Sequence, residues 1–476
     1  MADAATFLDE QRPFRRGEIA LARRAVDDPM FMLPRELDCL RYAIRLAQIS
    51  SIGPEPDALI ERIGSFRLRL LQLLAPVLPT EPDRIDANDL HALLPKVVRL
   101  VDEARLLVSR GGLADEATLD AEIAHKRLVL VLGGAAGSGY AFLGALVRLE
   151  DLGLRPDYQV GCSIGSLLGV IRGRHHAFDL DELLEDVRLL RGSAVFRPAR
   201  LAARFGMPAA LRLDLRGPLG SLFSNRDGEP LRLRELAIPT DALATGLGPG
   251  AILGASGDFA RMVDAELSGA EALQELPGSV LVRAVSSLVA LAMSRRALVP
   301  TFFGADPETA ELPALDAAGF SAAIPGLLQY DPPEDDAHVA KILKRIFDEH
   351  RLSALVDGSL ASLVPARYAW EAIEAGRIGT RHTAIIALDA FASSGGANAI
   401  FAPALRALSG TAHRDKPFWD LHVAFRRPPP LLEMFPTEVR LRAASRHGER
   451  EFEPTARILR ALLAKLPAWR ELKKES

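Results

Sequence analysis

The sequence has few cysteines, no excess of either charge and no recognisable leader. Its 476 residues include only two cysteines, Cys39 and Cys162, which cannot form a disulfide framework and have no metal-ligand spacing. The net charge of −4 lacks the basic excess that is typical of a nucleic-acid binder. The N-terminal segment contains no apolar core long enough for a secretory signal. We therefore expect a cytoplasmic protein with no metal and no nucleic-acid partner.

One hydrophobic run is long enough to be considered as a membrane span. Residues 128–147 form a stretch of twenty residues without a charge. The stretch contains five glycines, and its strand-like start, LVLVL, runs directly into a glycine-rich turn. This pattern is more typical of a buried strand, a turn and a helix than of a bilayer helix. We therefore predict no transmembrane segment here.

The two ends of the chain show helical spacing of apolar residues. Residues 1–125 are predicted as a helical N-terminal region whose helices lie at 34–50, 57–78 and 88–110. In the last of these, Asn88 is the expected N-cap and Pro95 is expected to break or kink the helix. Residues 393–476 are predicted as a C-terminal α-rich extension that ends in one amphipathic helix over 449–476.

Residues 126–392 show a different pattern, in which short apolar runs alternate with helical segments. Such runs are typical of buried parallel strands, so this part is predicted as an α/β core, a sheet with helices on both faces. The expected strands lie at 128–132, 158–160, 236–238, 242–245, 280–282 and 383–392.

Two glycine-containing segments about thirty residues apart can serve one chemistry. Gly133–Gly139 (GGAAGSG) follows a predicted strand and precedes a helix, where exposed backbone N–H groups can bind negative charge. Gly161–Gly165 (GCSIG) is a Gly-x-Ser-x-Gly segment between a short strand and a helix, which places Ser163 on a strained elbow. Together they offer a nucleophile and an oxyanion hole, as acyl transfer to water requires.

The first segment also has the glycine spacing of short-chain dehydrogenases. That family needs a lysine four residues after a tyrosine, and none of the five tyrosines has one. The acidic residue that would bind the ribose is missing as well. A dinucleotide cofactor is therefore not expected.

A serine nucleophile needs a base, and two kinds of candidate are present. An α/β-hydrolase would use a late histidine, for which the candidates are His382, His413, His422 and His447. The other candidate is Asp357, which follows an apolar run and precedes Gly358, although this Asp-Gly pair alone is more typical of a simple turn.

In this order, the glycine-rich turn, the Gly-x-Ser-x-Gly elbow and the Asp-Gly pair resemble the patatin-like phospholipase family. Residues 320–327 (FSAAIPGL) are similar to the Ser-Ala-x-Pro segment that precedes the family's aspartate, with one extra residue before the proline. Residues 236–246 are similar to its strand between elbow and base. The resemblance covers about residues 126–392 and implies a patatin-like three-layer α/β fold.

The resemblance implies a serine lipid acyl hydrolase of the phospholipase A or lysophospholipase type. Ser163 would be the nucleophile between Gly161 and Gly165, and Asp357, followed by Gly358, would be the base of a Ser-Asp dyad. The oxyanion hole would be formed by backbone N–H groups of the turn: Gly133, Gly134, Ala135, Ala136 and Gly137. A lipid substrate, transient contact with a membrane surface and no cofactor are implied; the oligomeric state is not.

Three residues depart from the family pattern. Ser138 stands where the family often has arginine, Phe142 where it often has histidine, and Ser359 where it has glycine or alanine. Two alternatives therefore stay open. One is a catalytically inactive patatin-fold module that binds lipid or protein, and the other is a Ser-His-Asp esterase.

Overall fold

Residue contacts divide the chain into two compact units. The computed structural model describes residues 2–52, 58–78, 84–188, 192–199, 203–249, 251, 278–391 and 402–473. Unit 1 consists of residues 1–128, 370–385 and 454–476, and unit 2 of residues 129–369 and 386–453. The domain boundaries predicted after residues 125 and 392 do not coincide with these contact units and remain a prediction.

Unit 1 is mainly helical. Its N-terminal segment forms the helices Ala2–Asp27, Pro34–Gln48, Ala58–Arg62, Gly64–Leu74, Ala87–Arg110 and Glu116–Ala124. Their apolar faces form one core, which also includes Leu466, Trp469 and Leu472 from the short helix Trp469–Lys473 and the residues before it. The 3.6-residue spacing seen in the sequence accounts for these buried faces.

A fully buried arginine joins distant segments of unit 1. The guanidinium of Arg45 donates to the carboxylate of Glu18 at 2.7 Å. It also donates to Ala124 O at 3.0 Å and to Leu462 O at 2.6 Å. These two carbonyls lie at the C-terminal ends of two helices, where no intrahelical donor remains. Arg45 therefore satisfies helix ends that are more than 330 positions apart in the chain.

The helix Ala87–Arg110 differs from its prediction in two ways. It continues through Pro95, so the expected break there is wrong. The N-cap is Asp86 and not Asn88, because the Asp86 carboxylate accepts a hydrogen bond from Asn88 N at 2.7 Å. Asn88 lies inside the first turn of the helix, where its own backbone N–H has no carbonyl partner within the helix and needs an acceptor from a preceding residue.

Unit 2 holds most of a mixed seven-stranded sheet. Its strands are β1 (Arg127–Leu132), β2 (Tyr158–Cys162), β5 (Thr240–Leu247), β6 (Leu298–Phe303), β8 (Ala354–Val356), β9 (Thr383–Asp389) and β10 (Leu421–Ala424). The order is β10-β9-β1-β2-β5-β6, with β8 also paired to β5. β1, β2 and β5 run parallel, whereas β6 and β8 are antiparallel to β5. A smaller sheet has the order β3-β4-β7, with β3 at Phe196–Pro198, β4 at Ala209–Leu213 and β7 at Gly326–Gln329.

Helices follow or separate these strands, which confirms the α/β prediction. Those that position the candidate site are Phe142–Asp151 after β1, Ile164–Gly173 after β2 and Ala314–Ser321 before β7. The others with five or more residues are Leu180–Arg188, Gly278–Met293, Ala337–His350, Ala366–Glu374, Ala402–Asp415 and Glu438–Leu463.

Three predicted elements differ in the structure. The strand expected at 280–282 lies inside the helix Gly278–Met293, because a short apolar run does not distinguish a strand from a buried helix. Residues 236–238 precede β5 and are not a strand. The C-terminal helix begins at Glu438 and ends at Leu463, and a separate short helix follows Pro467. Residue 392, the predicted end of the core, lies outside the described residues.

The uncharged run 128–147 forms β1, a turn and the start of the helix Phe142–Asp151, as predicted. Among the described residues, no helix is both long enough and apolar enough to cross a membrane.

Candidate active site

Ser163 occupies a sharp turn between β2 and the helix Ile164–Gly173. Its backbone has φ 54° and ψ −129°, a region that costs an L-residue steric strain. The residue is only 4% exposed, yet its side chain lines a cavity. This strand–turn–helix geometry is the elbow that the Gly-x-Ser-x-Gly spacing predicts.

The two glycines of the elbow are required by close backbone approaches. A Cβ atom at Gly161 would lie 2.5 Å from the carbonyl oxygen of Gly165. A Cβ atom at Gly165 would lie 2.2 Å from Leu132 O, in the neighbouring strand β1. Both distances are far below van der Waals contact, so only glycine lets the strand, the turn and the helix approach so closely.

A buried serine of the segment 320–327, to which the sequence analysis gave no role, supports the elbow. The Ser321 hydroxyl accepts a hydrogen bond from Ser163 N at 2.9 Å and donates to Leu243 O at 2.5 Å. The Ser166 hydroxyl is 2.7 Å from it. Ser321 is fully buried at the end of the helix Ala314–Ser321. It therefore satisfies the N–H of the strained residue, which would otherwise be a buried unpaired donor.

The backbone of Asp357 is fixed by the same region of the fold. Asp357 N donates to Ala323 O at 2.8 Å, two residues after Ser321. The Thr245 hydroxyl in β5 donates to Asp357 O at 2.9 Å. In turn, the carboxylate oxygen Oδ1 accepts from Ser359 N at 2.8 Å. Segment 321–323 thus holds both predicted members of the dyad.

The electrostatics of Asp357 are dominated by burial. Loss of solvent raises the pKa of its carboxyl above the usual value, while hydrogen bonding from Ser163 and then from Ser359 acts in the opposite direction. Among the described residues, its other oxygen, Oδ2, has no partner with good hydrogen-bond geometry. The two side chains are therefore close enough for Ser163 to lower the pKa of Asp357, and Oδ2 is not occupied by another described group.

Gly358 is fixed by contact with the central sheet. A Cβ atom here would lie 1.9 Å from Leu243 O in β5. Leu243 O is also the acceptor of the Ser321 hydroxyl. The Asp-Gly pair is therefore a close contact between the loop after β8 and the middle of the sheet, and not a simple exposed turn.

Of the five predicted oxyanion donors, three are already engaged. Gly133 N donates to Leu388 O at 3.0 Å, Gly134 N to Leu363 O at 2.9 Å, and Gly137 N to Leu431 O at 2.9 Å. These bonds fix the turn, but the three N–H groups are then not available to bind an oxyanion. The candidate donors are thereby narrowed to Ala135 and Ala136.

Ala136 is the turn residue that faces the cavity. It has φ 43°, one of three non-glycine residues with positive φ among those described, and it lines the cavity together with Ser163. Two strained residues therefore line the same cavity, which is common where backbone geometry serves chemistry.

The cavity has a volume of about 440 Å³, within the range of small-molecule sites, and its lining is almost entirely aliphatic and aromatic. Eight residues of the helices Ile164–Gly173 and Leu180–Arg188 lie on it, and the others include residues of β3, β4, β7 and the segment 434–441. The polar side chains besides Ser163 are Tyr140, Arg188, Thr437 and Glu438.

The three departures from the family pattern have local partners. The Ser138 hydroxyl donates to Pro429 O at 2.6 Å. Phe142 is fully buried, with its ring centroid 5.7 Å from that of Phe425. Ser359 lies so close to the oxyanion turn that a Cβ atom at Gly134 would be 2.0 Å from its hydroxyl.

None of the four late histidines is among the described residues that line the cavity. His382 is buried in unit 1, where its Nδ1 is 2.9 Å from Glu122 O. Its pKa is lowered to about 3, mainly by burial and to a smaller extent by the positive charge of Lys126. The His422 ring stacks on the Trp419 ring, with 4.6 Å between the ring centroids. The other two, His413 and His447, lie on the helices Ala402–Asp415 and Glu438–Leu463.

Comparison with known families matches residues 130–370 to the patatin-like phospholipase family, over half of the chain. The chain belongs to this family, whose activity is lipid acyl hydrolysis in general, and the prediction made from the motifs is confirmed. No curated protein gives a significant match. Within the described residues, no cluster of three or more His, Cys, Asp or Glu side chains could hold a metal ion.

Proposed function

We propose that this protein is a serine hydrolase that cleaves carboxylic esters of lipids through an acyl-enzyme on Ser163, with Asp357 as the base. The observation that carries the proposal is the meeting of Ser163, on its strained elbow, with the buried Asp357 carboxylate beside an apolar cavity. Phospholipase A or lysophospholipase activity is the form of the reaction that this site suits best.

The first half of the reaction forms the acyl-enzyme. Ser163 Oγ attacks the ester carbonyl carbon as its proton moves to Asp357 Oδ2, which has an open lone pair. The carbonyl oxygen becomes an oxyanion that Ala135 N and Ala136 N stabilise, an effect worth about 3–4 kcal/mol per donor in other enzymes. The C–O bond to the leaving alcohol then breaks, and that oxygen takes the proton from Asp357.

The second half returns the enzyme. A water molecule attacks the acyl carbon while Asp357 accepts its proton, and the same N–H groups hold the second oxyanion. The Ser163 Oγ–acyl bond breaks, Oγ regains the proton, and a fatty acid leaves. The apolar cavity accounts for a fatty acyl group, because apolar surface buried there contributes about 25 cal/mol per Å². We also propose a transient contact with a membrane surface, where such substrates reside.

A fluorophosphonate probe tests the nucleophile directly. We expect covalent labelling of the folded chain, with the modified peptide containing Ser163 when analysed by mass spectrometry. A parallel screen of phospholipid and lysophospholipid classes should release free fatty acid. Folded protein that takes no label and releases no fatty acid would contradict the proposal and favour a lipid- or protein-binding module instead.

The acid limb of the pH profile should report Asp357. Only the ionised carboxylate accepts the Ser163 proton, and burial raises the pKa of Asp357 above 3.8, the ordinary value for aspartate. We therefore expect kcat/KM on a short ester to fall as the pH is lowered, with a midpoint above 3.8.

A second buried carboxyl provides the control for this profile. Burial raises the pKa of Asp415 to about 6, and its carboxylate accepts from Ser362 Oγ at 2.6 Å. Asp415→Asn should leave the acid limb in place. A limb that disappears in Asp415→Asn, or a wild-type midpoint at or below 3.8, would show that Asp357 is not the titrating base.

A further inference from the structure

Residues 429–441, which we call the strap, lie outside the family match yet contact the oxyanion turn. The Ser138 hydroxyl donates to Pro429 O at 2.6 Å, and Gly137 N donates to Leu431 O at 2.9 Å. The Tyr140 hydroxyl donates to Met434 O at 2.7 Å. Three carbonyl oxygens of the strap thus accept hydrogen bonds from residues 137–140, at the end of the turn that carries the candidate oxyanion donors.

The contact between the strap and the turn leaves no space for side chains. A Cβ atom at Gly137 would lie 2.6 Å from both Pro430 O and Glu433 O. The helix that continues from the strap is held as closely, because a Cβ atom at Gly448 would lie 1.9 Å from Ala141 O. Such close approaches require glycine at both positions and pack the strap directly against the backbone of the turn.

The strap also forms one wall of the apolar cavity. Met434, Phe435, Pro436 and Leu441 line it, together with residues of the elbow helix Ile164–Gly173. The Phe435 ring also lies near Gly192, at 3.4 Å from the position that a Cβ atom there would take. The volume open to a chain bound at Ser163 therefore depends on side chains that the family match does not include.

We infer that Met434 and Phe435 of the strap determine the length of the acyl chain that the site accepts. The inference rests on the proposed function, with a single fatty acyl chain of a lipid ester as the occupant of the cavity. Each methylene group buried in an apolar site increases the binding constant about fourfold. The increase ends at the chain length at which the acyl chain contacts the side chains that close the cavity.

The test compares kcat/KM over a series of p-nitrophenyl esters from butanoate to stearate. In the wild type, kcat/KM should rise about fourfold per methylene to an optimum and then fall. Met434→Ala and Phe435→Ala should move the optimum of kcat/KM to longer chains. Phe435→Trp, which fills space, should move it to shorter chains.

Val439→Ala is the matched control, because Val439 belongs to the strap but is 75% exposed and does not line the cavity. Its optimum should equal that of the wild type. An unchanged optimum in folded Phe435→Ala and Phe435→Trp would overturn the inference, as would an equal shift in Val439→Ala.

Binding separates this inference from the proposed function. Displacement of the fluorescent fatty acid cis-parinaric acid by saturated fatty acids reports chain-length preference without any turnover. If no ester is hydrolysed but the preferred fatty acid lengthens in Phe435→Ala, the hydrolase proposal fails and the role of the strap stands. If esters are hydrolysed and neither assay shifts, only the role of the strap fails.

Discussion

Replacing Asp357 with asparagine should lower ester turnover by about 10³-fold or more and, at neutral pH, raise the melting temperature. Asparagine has nearly the same shape and can still accept the hydrogen bond from Ser359 N, but it cannot accept the Ser163 proton. Turnover of a short ester and thermal unfolding of the same preparation measure the two effects together.

The expected gain in stability follows from the direction of the pKa shift. Burial raises the pKa of Asp357 in the folded chain above its value in the unfolded chain, so folding is disfavoured once the pH exceeds both values. The advantage of Asp357→Asn should therefore be full at neutral pH. It should disappear as the pH falls below the ordinary aspartate pKa, where the wild-type carboxyl is protonated in both states.

Asp316→Asn provides a contrasting control. Asp316 is also fully buried with a raised pKa caused by burial, but its carboxylate binds Arg216, at 2.8 Å from Nε. Asparagine there breaks the ion pair with the part-buried Arg216, which keeps only Asp336 as a carboxylate partner, and we expect this loss to outweigh the relief of burial and lower the melting temperature. A lower melting temperature in Asp357→Asn, or turnover close to that of the wild type, would contradict the assignment of Asp357 as an isolated buried base.

Replacing Ser163 with alanine should reduce ester hydrolysis by about 10⁴- to 10⁶-fold, the range seen when a serine nucleophile is removed. The fold should survive, because the bond from the backbone N–H of residue 163 to Ser321 Oγ does not use the Ser163 side chain. The measurements are initial rates on a short ester and the circular dichroism spectrum of the variant.

Ser224→Ala controls for general effects of losing a hydroxyl, because the hydroxyl of the exposed Ser224 donates to Gly220 O of its own loop. It should retain wild-type rates. Residual activity of Ser163→Ala within tenfold of the wild type would mean that another group attacks the ester, and the acyl-enzyme would have to be placed elsewhere.

The parts of the candidate site that were predictable are those that depend on local backbone geometry. Gly161 and Gly165 are needed within one turn of Ser163, so their spacing in the sequence already indicates the elbow. The order of the glycine-rich turn, the elbow and the Asp-Gly pair indicated the family.

The parts that were not predictable depend on contacts between distant segments. Ser321 supports Ser163 across 158 positions, and the similarity of segment 320–327 to the family pattern did not indicate that contact. The same reason applies to the oxyanion turn, where Leu363, Leu388 and Leu431 decide which N–H groups are engaged. The helix Gly278–Met293 was mistaken in part for a strand because a three-residue apolar run has no measurable period.

The position of Arg45 has a consequence for the order in which the chain folds during synthesis. Its guanidinium binds Ala124 O and Leu462 O, and those acceptors leave the ribosome at very different times. Domains usually fold as units while the chain emerges from its N-terminus. The segments of unit 2 end at residue 453 and are made before residue 462, so unit 1 completes its arginine-centred core only after unit 2 has been synthesised.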